Sequence, residues 1–340
     1  MRLVPAHAAI DRFLQREIDV GSFPGAVYAV GSPAGIEYEN ALGHAVSVPL
    51  RVPATLDTIY DCASLTKPLI TTALVLQHLS LDESIEGFPI RDLLTHSSGL
   101  KAWVPLYAYQ DSGSGIRDSY LRAILEHGRE YPRGTRVVYS DLNFILLWLA
   151  LPRYEELFAR LNLQDAFLGP PAALKARTAA TEWGQRWERV MCAERGIAFD
   201  RFREDLIWGE THDGNSYFAG GTAGNAGLFA TARAVFRIAR GWLDGTLVSW
   251  DLLDEVTRNY TPGLEENRGL GWLLRFPGHP ATGVLSPRAF GHTGFTGTSV
   301  FVDPDRDRVM VLLTNRVHPC AGPSAMQKIR GEFHRLALPA

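Results

Sequence analysis

The sequence predicts an α+β fold in which one sheet is assembled from both ends of the chain, with a mainly helical segment inserted between them. Residues 25–30 and 36–40 are rich in strand-forming side chains, and the turn at 32–35 between them indicates a hairpin. From about residue 55 to residue 210, apolar residues recur at helical spacing instead. Strand patterns return at 269–275, 298–302 and 309–313. Strands at both ends with helices between them favour one shared sheet.

The individual elements follow from local patterns. A first helix is predicted at 10–17, where the pattern is amphipathic, and the clearest later helices are at 120–125 and 144–149. The turn at 303–307, with three aspartates and a proline, joins the last two strands into a hairpin. There is no internal repeat and no low-complexity linker, so we expect a single unit. Its expected parts are an α/β subdomain formed by residues 1–60 and 211–340 and a helical subdomain formed by residues 61–210.

Composition excludes several classes of function. The 340 residues are 46% hydrophobic and 21% charged, which is typical of a globular protein, and the net charge of -3 provides no basic surface for nucleic acid or for a membrane. No secretory leader and no membrane-spanning run is predicted. Cys62, Cys192 and Cys320 are too widely spaced for a disulfide framework and fit a reducing compartment. We therefore expect a cytoplasmic protein with a small-molecule partner, and the oligomeric state stays open.

The chain is organised around Ser64-x-x-Lys67-Pro68. Proline is tolerated only in the first turn of a helix, so Ser64 should lie at or just before a helix N-terminus, where unpaired N–H groups stabilise negative charge. Lys67 falls on the same helix face one turn later. It can activate the serine hydroxyl only if desolvation or a nearby charge lowers its pKa. By itself, the motif is weak because such spacings occur by chance, and a helix-capping serine followed by a solvated lysine is then the favoured interpretation.

Two further motifs carry suitable chemistry. The turn at 131–135 delivers Tyr139-Ser140-Asp141 just before a predicted helix, and a tyrosine beside a lysine cation can approach phenolate character and shuttle a proton. A core or rim tyrosine is the alternative. Near the C-terminus, 291–297 contains His292-Thr293-Gly294 and leads into a strand. Its glycines would let a substrate approach the backbone, and an edge strand there could offer free N–H groups to an oxyanion.

Together the three motifs resemble the Ser-x-x-Lys, Tyr/Ser-x-Asn and Lys-Thr-Gly motifs of serine β-lactamases and penicillin-binding proteins, in the same order and at similar spacing. The resemblance covers about residues 10–335, and it is closest to the class C β-lactamase-like branch that includes many esterases. Segments 93–100 and 220–229 support it. The resemblance implies an antiparallel sheet backed by the N- and C-terminal helices and packed against a helical subdomain, with the site in the cleft between them.

The resemblance also implies residue roles. Ser64 would be the nucleophile, Lys67 its base and Tyr139 the proton shuttle, and the N–H groups of Ser64 and Phe295 would form the oxyanion hole. No metal or organic cofactor is implied. The residues expected to contact substrate are Asp141, His292, Thr293, Gly294 and Phe295.

Two departures from the family motifs bear on the substrate. His292 replaces a lysine and should be largely uncharged, which weakens the anchor for a substrate carboxylate. Asp141 replaces an asparagine and can only accept hydrogen bonds when ionised. These changes favour a serine hydrolase acting on carboxylic esters. The alternatives are a β-lactamase or D-alanyl-D-alanine carboxypeptidase, and a catalytically silent binding or sensor protein on the same fold. His96 and His212 have no partners at metal-ligand spacing and are interpreted as structural.

Overall fold

The computed structural model describes residues 6–111, 113–169 and 172–339. Its α-helices are α1 Ala6–Asp19, α2 Ala73–His78, α3 Ile90–Leu94, α4 Ile116–His127, α5 Asp141–Ala150, α6 Tyr154–Arg160, α7 Arg186–Glu194, α8 Gly214–Phe218, α9 Ala232–Gly241, α10 Trp250–Val256 and α11 Met326–Ala337. Its strands are β1 Gly25–Ser32, β2 Gly35–Val46, β3 Val52–Pro53, β4 Tyr60–Asp61, β5 Ser84–Ile85, β6 Phe88–Pro89, β7 Ala166–Leu168, β8 Ala180–Trp183, β9 Leu206–Trp208, β10 Leu228–Ala230, β11 Leu273–Leu274, β12 Phe290–Thr293, β13 Ser299–Asp303 and β14 Arg308–Thr314. Among these helices, none is long and apolar enough to span a membrane.

The main sheet joins the two ends of the chain, as predicted. Its seven strands lie in the order β11-β12-β13-β14-β1-β2-β3, and each neighbouring pair is antiparallel. The N-terminal hairpin of β1 and β2 meets the C-terminal hairpin of β13 and β14 through the β1–β14 pairing, in which Val27 lies opposite Leu313. The α+β prediction is confirmed.

Each face of the sheet has its own core because side chains alternate along a strand. On β1, Val27 and Ala29 belong to the larger core, which extends into the helical part of the chain. Tyr28 and Val30 point to the opposite face, where α1 and α11 cover them with side chains such as Phe13 and Phe333. The helices nearest the two ends therefore back one face of the sheet, and α9 packs on the other face, against β1, β13 and β14.

The structure differs from the prediction at two strands. The strand expected at 269–275 is reduced to Leu273–Leu274, because Gly271 takes a positive φ of 78° and donates its N–H to the carbonyl of Leu94, 3.0 Å away. β12 is also not an edge strand, since β11 pairs with it at Phe290 and Gly291. β11 begins at Leu273, opposite Gly291, so no described strand pairs with that side of β12 beyond Gly291.

Candidate active site

A strained turn presents Ser64. The buried carboxylate of Asp61 accepts the N–H of Ala63 at 2.8 Å with one oxygen and the N–H of His212 at 2.8 Å with the other. Ala63 has a φ of +47°, a left-handed conformation that costs a non-glycine residue about 1 kcal/mol or more. Two charge-assisted hydrogen bonds to Asp61 offset this strain. These bonds hold the turn at Ala63, and the turn sets the position of Ser64 at the start of the following helix.

The predicted helix begins where Pro68 requires. Residues 63–65 form a 3-10 turn, 67–72 form a π-helix with Pro68 in its first turn, and α2 continues from Ala73. Ser64 therefore lies in the first helical turn, in which backbone N–H groups have no partner within the helix. Lys67 follows on the same face, and its Nζ lies 3.0 Å from the Ser64 Oγ. The predicted proximity of Lys67 to Ser64 is confirmed.

Lys67 is fully buried, and three oxygen atoms surround its ammonium group. Nζ donates to Ser64 Oγ at 3.0 Å and to the carbonyl of Asn225 at 2.9 Å, and it forms an ion pair with Asp141 Oδ1 at 2.7 Å. Burial lowers the pKa of Lys67, but Asp141 and Tyr139 together raise it above its ordinary value. The lysine is therefore cationic at rest. The sequence analysis required a lowered pKa for Lys67 to act as a base, and the structure does not provide it.

Tyr139 stands beside this cation. Lys67 Nζ lies 4.9 Å from the centroid of the tyrosine ring, and the rings of His96 and His292 flank it at 4.6 and 5.8 Å between centroids. Burial raises the pKa of Tyr139, and the opposing effect of Lys67 does not reverse the shift. Its buried hydroxyl makes no hydrogen bond within the described part of the chain. The phenol is therefore protonated at rest, with its oxygen available for a substrate.

Both neighbouring histidines are neutral. His292 Nδ1 lies 2.8 Å from the carbonyl of Thr293, which can only accept, so Nδ1 carries the proton. Burial, together with Arg268 and Lys67, lowers the pKa of His292 well below its ordinary value. The expectation of an uncharged His292 is confirmed. His96 Nδ1 accepts the N–H of Ser140 at 3.1 Å, which gives this histidine the structural role predicted for it.

A tight loop at 294–298 docks against the serine turn. The N–H of Gly294 donates to the carbonyl of Thr298 at 2.7 Å, and the Thr298 hydroxyl donates to the carbonyl of Cys62 at 2.9 Å. A second hydroxyl, that of Thr296, donates to the carbonyl of Asp61 at 2.7 Å. These bonds hold the backbone that follows β12 beside Ser64. Over the residues that the structure describes, the N–H of Phe295 has no acceptor.

The side chain of Phe295 forms an aromatic ledge at the mouth of the cleft, together with Trp187 and His212. The Phe295 ring is stacked on His212 at 5.6 Å and lies 5.8 Å from Trp187. The carboxylate of Glu182 lies 3.1 Å from the Nε2 of His212 and holds the imidazole ring in place. Phe295 and Trp187 are each 36% exposed, so a flat apolar group could rest against them.

A cavity of about 380 Å³ opens in front of Ser64. The predicted site residues that line it are Ser64, Tyr139, His292, Thr293, Gly294 and Phe295. Lys67 and Asp141 lie behind this surface. The structure thus brings the predicted residues together, but it places Asp141 against Lys67, where the sequence had suggested a contact with substrate.

Three arginines that the sequence did not single out line the same cavity: Arg268, Arg316 and Arg330. Arg268 is paired with Glu266, and its guanidinium lies 5.6 Å from the Tyr139 ring centroid. The other two form no ion pair with any described carboxylate. Arg316 donates to the carbonyl of Phe295 at 2.8 Å, and Arg330 donates to those of Gly294 and Thr298 at 3.0 and 2.9 Å.

Burial and the neighbouring Arg316 lower the pKa of Arg330 to about 9. An anion bound in the cavity would relieve this unfavourable burial of charge. No local motif marks these arginines, because they come from three separate segments of the chain. Among the described residues, no group of three or more histidine, cysteine, aspartate or glutamate side chains is placed to hold a metal ion.

A serine beside a buried lysine, at a cleft next to a helix-backed antiparallel sheet, defines a serine hydrolase of the β-lactamase and penicillin-binding-protein fold. The family model Beta-lactamase matches residues 10–330, and the chain belongs to this family. A "Putative D-alanyl-D-alanine carboxypeptidase" of Escherichia coli (strain K12) is 30% identical, over 97% of this chain and 86% of that protein.

Solved structures show the same fold. A penicillin-binding protein homolog from Caulobacter crescentus has a TM-score of 0.72 at 17% identity, with 99% of both chains covered. EstCE1, described as a hydrolase with promiscuous acyltransferase activity, has a TM-score of 0.71 at 18% identity, with 98% of this chain and 97% of that chain covered.

Proposed function

We propose that this chain hydrolyses carboxylic esters through an acyl-enzyme formed on Ser64. The observation that carries the proposal is the Ser64 Oγ, half-buried at a cavity of about 380 Å³ and 3.0 Å from the Nζ of fully buried Lys67. A hydroxyl needs such a neighbour to lose its proton as it attacks a carbonyl carbon. In this proposal the N–H groups of Ser64 and Phe295 hold the oxyanion, and neither donates a backbone hydrogen bond to a described residue.

The leaving group would lie on the Tyr139 side of the cleft. Tyr139 carries its proton at rest and can donate it to the departing alkoxide. Neutral His292, with Thr293 and Gly294, lines the same wall, and it offers no charge to a substrate carboxylate. The absence of charge on His292 supports a neutral ester as the substrate. The acyl group would then extend past Phe295 toward the aromatic ledge.

A second candidate is a D-alanyl-D-alanine carboxypeptidase or β-lactamase, whose substrates carry a carboxylate. Arg316 and Arg330 favour it, because both line the cavity and both donate to backbone carbonyls, with no ion pair to a described carboxylate. They could replace the charge that His292 does not supply, so the argument from His292 against acidic substrates is weaker than the sequence suggested. The printed name of the Escherichia coli relative points the same way.

Intact mass spectrometry distinguishes the candidates. The protein and a Ser64→Ala variant would be exposed separately to a fluorophosphonate, p-nitrophenyl esters, a penicillin and a peptide ending in D-alanyl-D-alanine. We expect a Ser64-dependent adduct with the fluorophosphonate and rapid turnover of the esters. Preferential acylation by the penicillin or cleavage of the peptide would replace the ester proposal with the second candidate. An equal adduct on Ser64→Ala would remove Ser64 as the nucleophile.

The proposal includes a small-molecule substrate, no organic cofactor and a cytoplasmic location. The location is supported by the three free cysteines, of which Cys62 and Cys192 are buried and Cys320 is exposed. Burial raises the pKa of the Cys62 thiol well above its ordinary value. Cys62 is therefore no competitor to Ser64 as a nucleophile.

A further inference from the structure

Every group that could receive the proton of Ser64 is already protonated or poorly basic in the resting site. Lys67 is a cation that donates to Ser64 Oγ and to the Asn225 carbonyl and is paired with Asp141, and Tyr139 is a neutral phenol. His292 has a free Nε2, but its lowered pKa makes it a weak base. Lys67 donates to Ser64 Oγ in this state, which is the wrong direction for activating it.

We infer that Asp141 is the group that takes a proton from Lys67 and so converts the lysine into the base for Ser64. Asp141 Oδ1 lies 2.7 Å from Lys67 Nζ, the shortest of the three contacts that Nζ makes. The inference rests on the proposed function of Ser64 and Lys67. It replaces the substrate-binding role expected for Asp141 with a positioning and proton-holding role behind the cleft.

The proton transfers balance as follows. An N–H bond of Lys67 breaks, its electron pair stays on Nζ, and the proton forms an O–H bond with Asp141. The Nζ lone pair then takes the Ser64 proton as Oγ bonds to the carbonyl carbon and the carbonyl π pair moves to oxygen. When the intermediate collapses, Tyr139 protonates the leaving oxygen, Lys67 reprotonates Tyr139, and Asp141 returns its proton to Lys67.

The surroundings of Asp141 suit this exchange. Its side chain is only 18% exposed, and burial, together with nearby Asp213, raises the pKa of its carboxyl against the opposing effect of Lys67. A raised pKa brings the proton affinities of the two partners closer and eases transfer between them. The other charged or titratable groups around the pair are Tyr139, His96, His292 and Arg268. Apart from Asp213, none of the groups around the pair is a carboxylate.

The test is the pH profile of Ser64 acylation in Asp141→Asn, followed by fluorophosphonate labelling and by kcat/KM for a p-nitrophenyl ester. In the wild type, acylation should fail in acid when Asp141 is protonated and Lys67 can no longer release a proton. In Asp141→Asn, Lys67 must lose its proton to solvent, so the acid limb should move upward by at least about one pH unit. The rate near neutrality should fall at least roughly tenfold, mainly in kcat.

Two variants serve as controls. Asp118→Asn removes the same charge from an exposed position of α4 and should leave the profile unchanged. Asp141→Glu keeps a carboxylate beside Lys67, so its acid limb should stay within about half a pH unit of the wild type while the rate falls. This variant carries the test if Asp141→Asn does not fold.

An unmoved acid limb in Asp141→Asn, or a rise in KM at constant kcat, would overturn the inference and restore a substrate contact. An acid limb in Asp141→Glu that has moved as far as that of Asp141→Asn would overturn it as well. Failure of the underlying function looks different, because wild-type protein would then show no Ser64-dependent labelling at any pH.

Discussion

Gly294→Ala should disable the site without touching a reacting group. A Cβ on Gly294 would lie 2.1 Å from the Thr298 hydroxyl, 2.6 Å from the carbonyl oxygen of Cys62 and 3.4 Å from the Ala63 Cβ. The hydroxyl could rotate away only by breaking its bond to Cys62, and the backbone oxygen cannot move without shifting the turn that presents Ser64. The loop and the serine turn must therefore separate.

We expect two measurable effects. Overpacking of this kind costs about 1–3 kcal/mol, which should appear as a lower free energy of unfolding in urea. Displacing the Phe295 N–H from Ser64 by about 1 Å should lower the rate of fluorophosphonate labelling roughly 100-fold. The matched control is Gly322→Ala, because a Cβ there meets nothing within 4 Å. Equal labelling rates for the two variants would refute the view that close contact between the loop and the serine turn sets the geometry.

Three further outcomes are expected. Lys67→Ala and Tyr139→Phe should each lower the acylation rate by roughly 1000-fold with little change in KM. The double variant should be little worse than the poorer single variant. Additive losses in single-turnover assays would show that the two residues act independently. Arg316→Met should lower kcat/KM for a carboxylate-bearing ester relative to its neutral analogue by roughly tenfold, and an unchanged ratio would remove the arginine from substrate recognition. Trp187→Ala should lower kcat/KM for an aromatic acyl ester relative to the acetate by about threefold to tenfold, through loss of the ledge that it forms with Phe295; equal losses for both esters would contradict this.

Much of the fold follows from local patterns. β1 is a short run of strand-forming residues and residues 144–149 are a continuous apolar run, and the structure has a strand and a helix at these places. The serine site is equally local at its centre, because Pro68 sets the start of the helix and three residues of helix bring Lys67 alongside Ser64. The failed strand at 269–275 shows the limit. Its pattern is correct for a strand, but a hydrogen bond from Gly271 to Leu94 bends it away.

The protonation of the site is decided by tertiary structure. Asp61 reaches the N–H of His212 across 151 positions in the sequence, and Asp141 meets Lys67 only because α5 packs against the helical segment that carries the lysine. Arg330 likewise reaches the cavity from α11. Sequence spacing therefore predicted which side chains meet at the cleft. Their charges depend on burial and on distances of a few ångströms between remote segments, and no local pattern records these because they arise only when the sheet and the helices pack together.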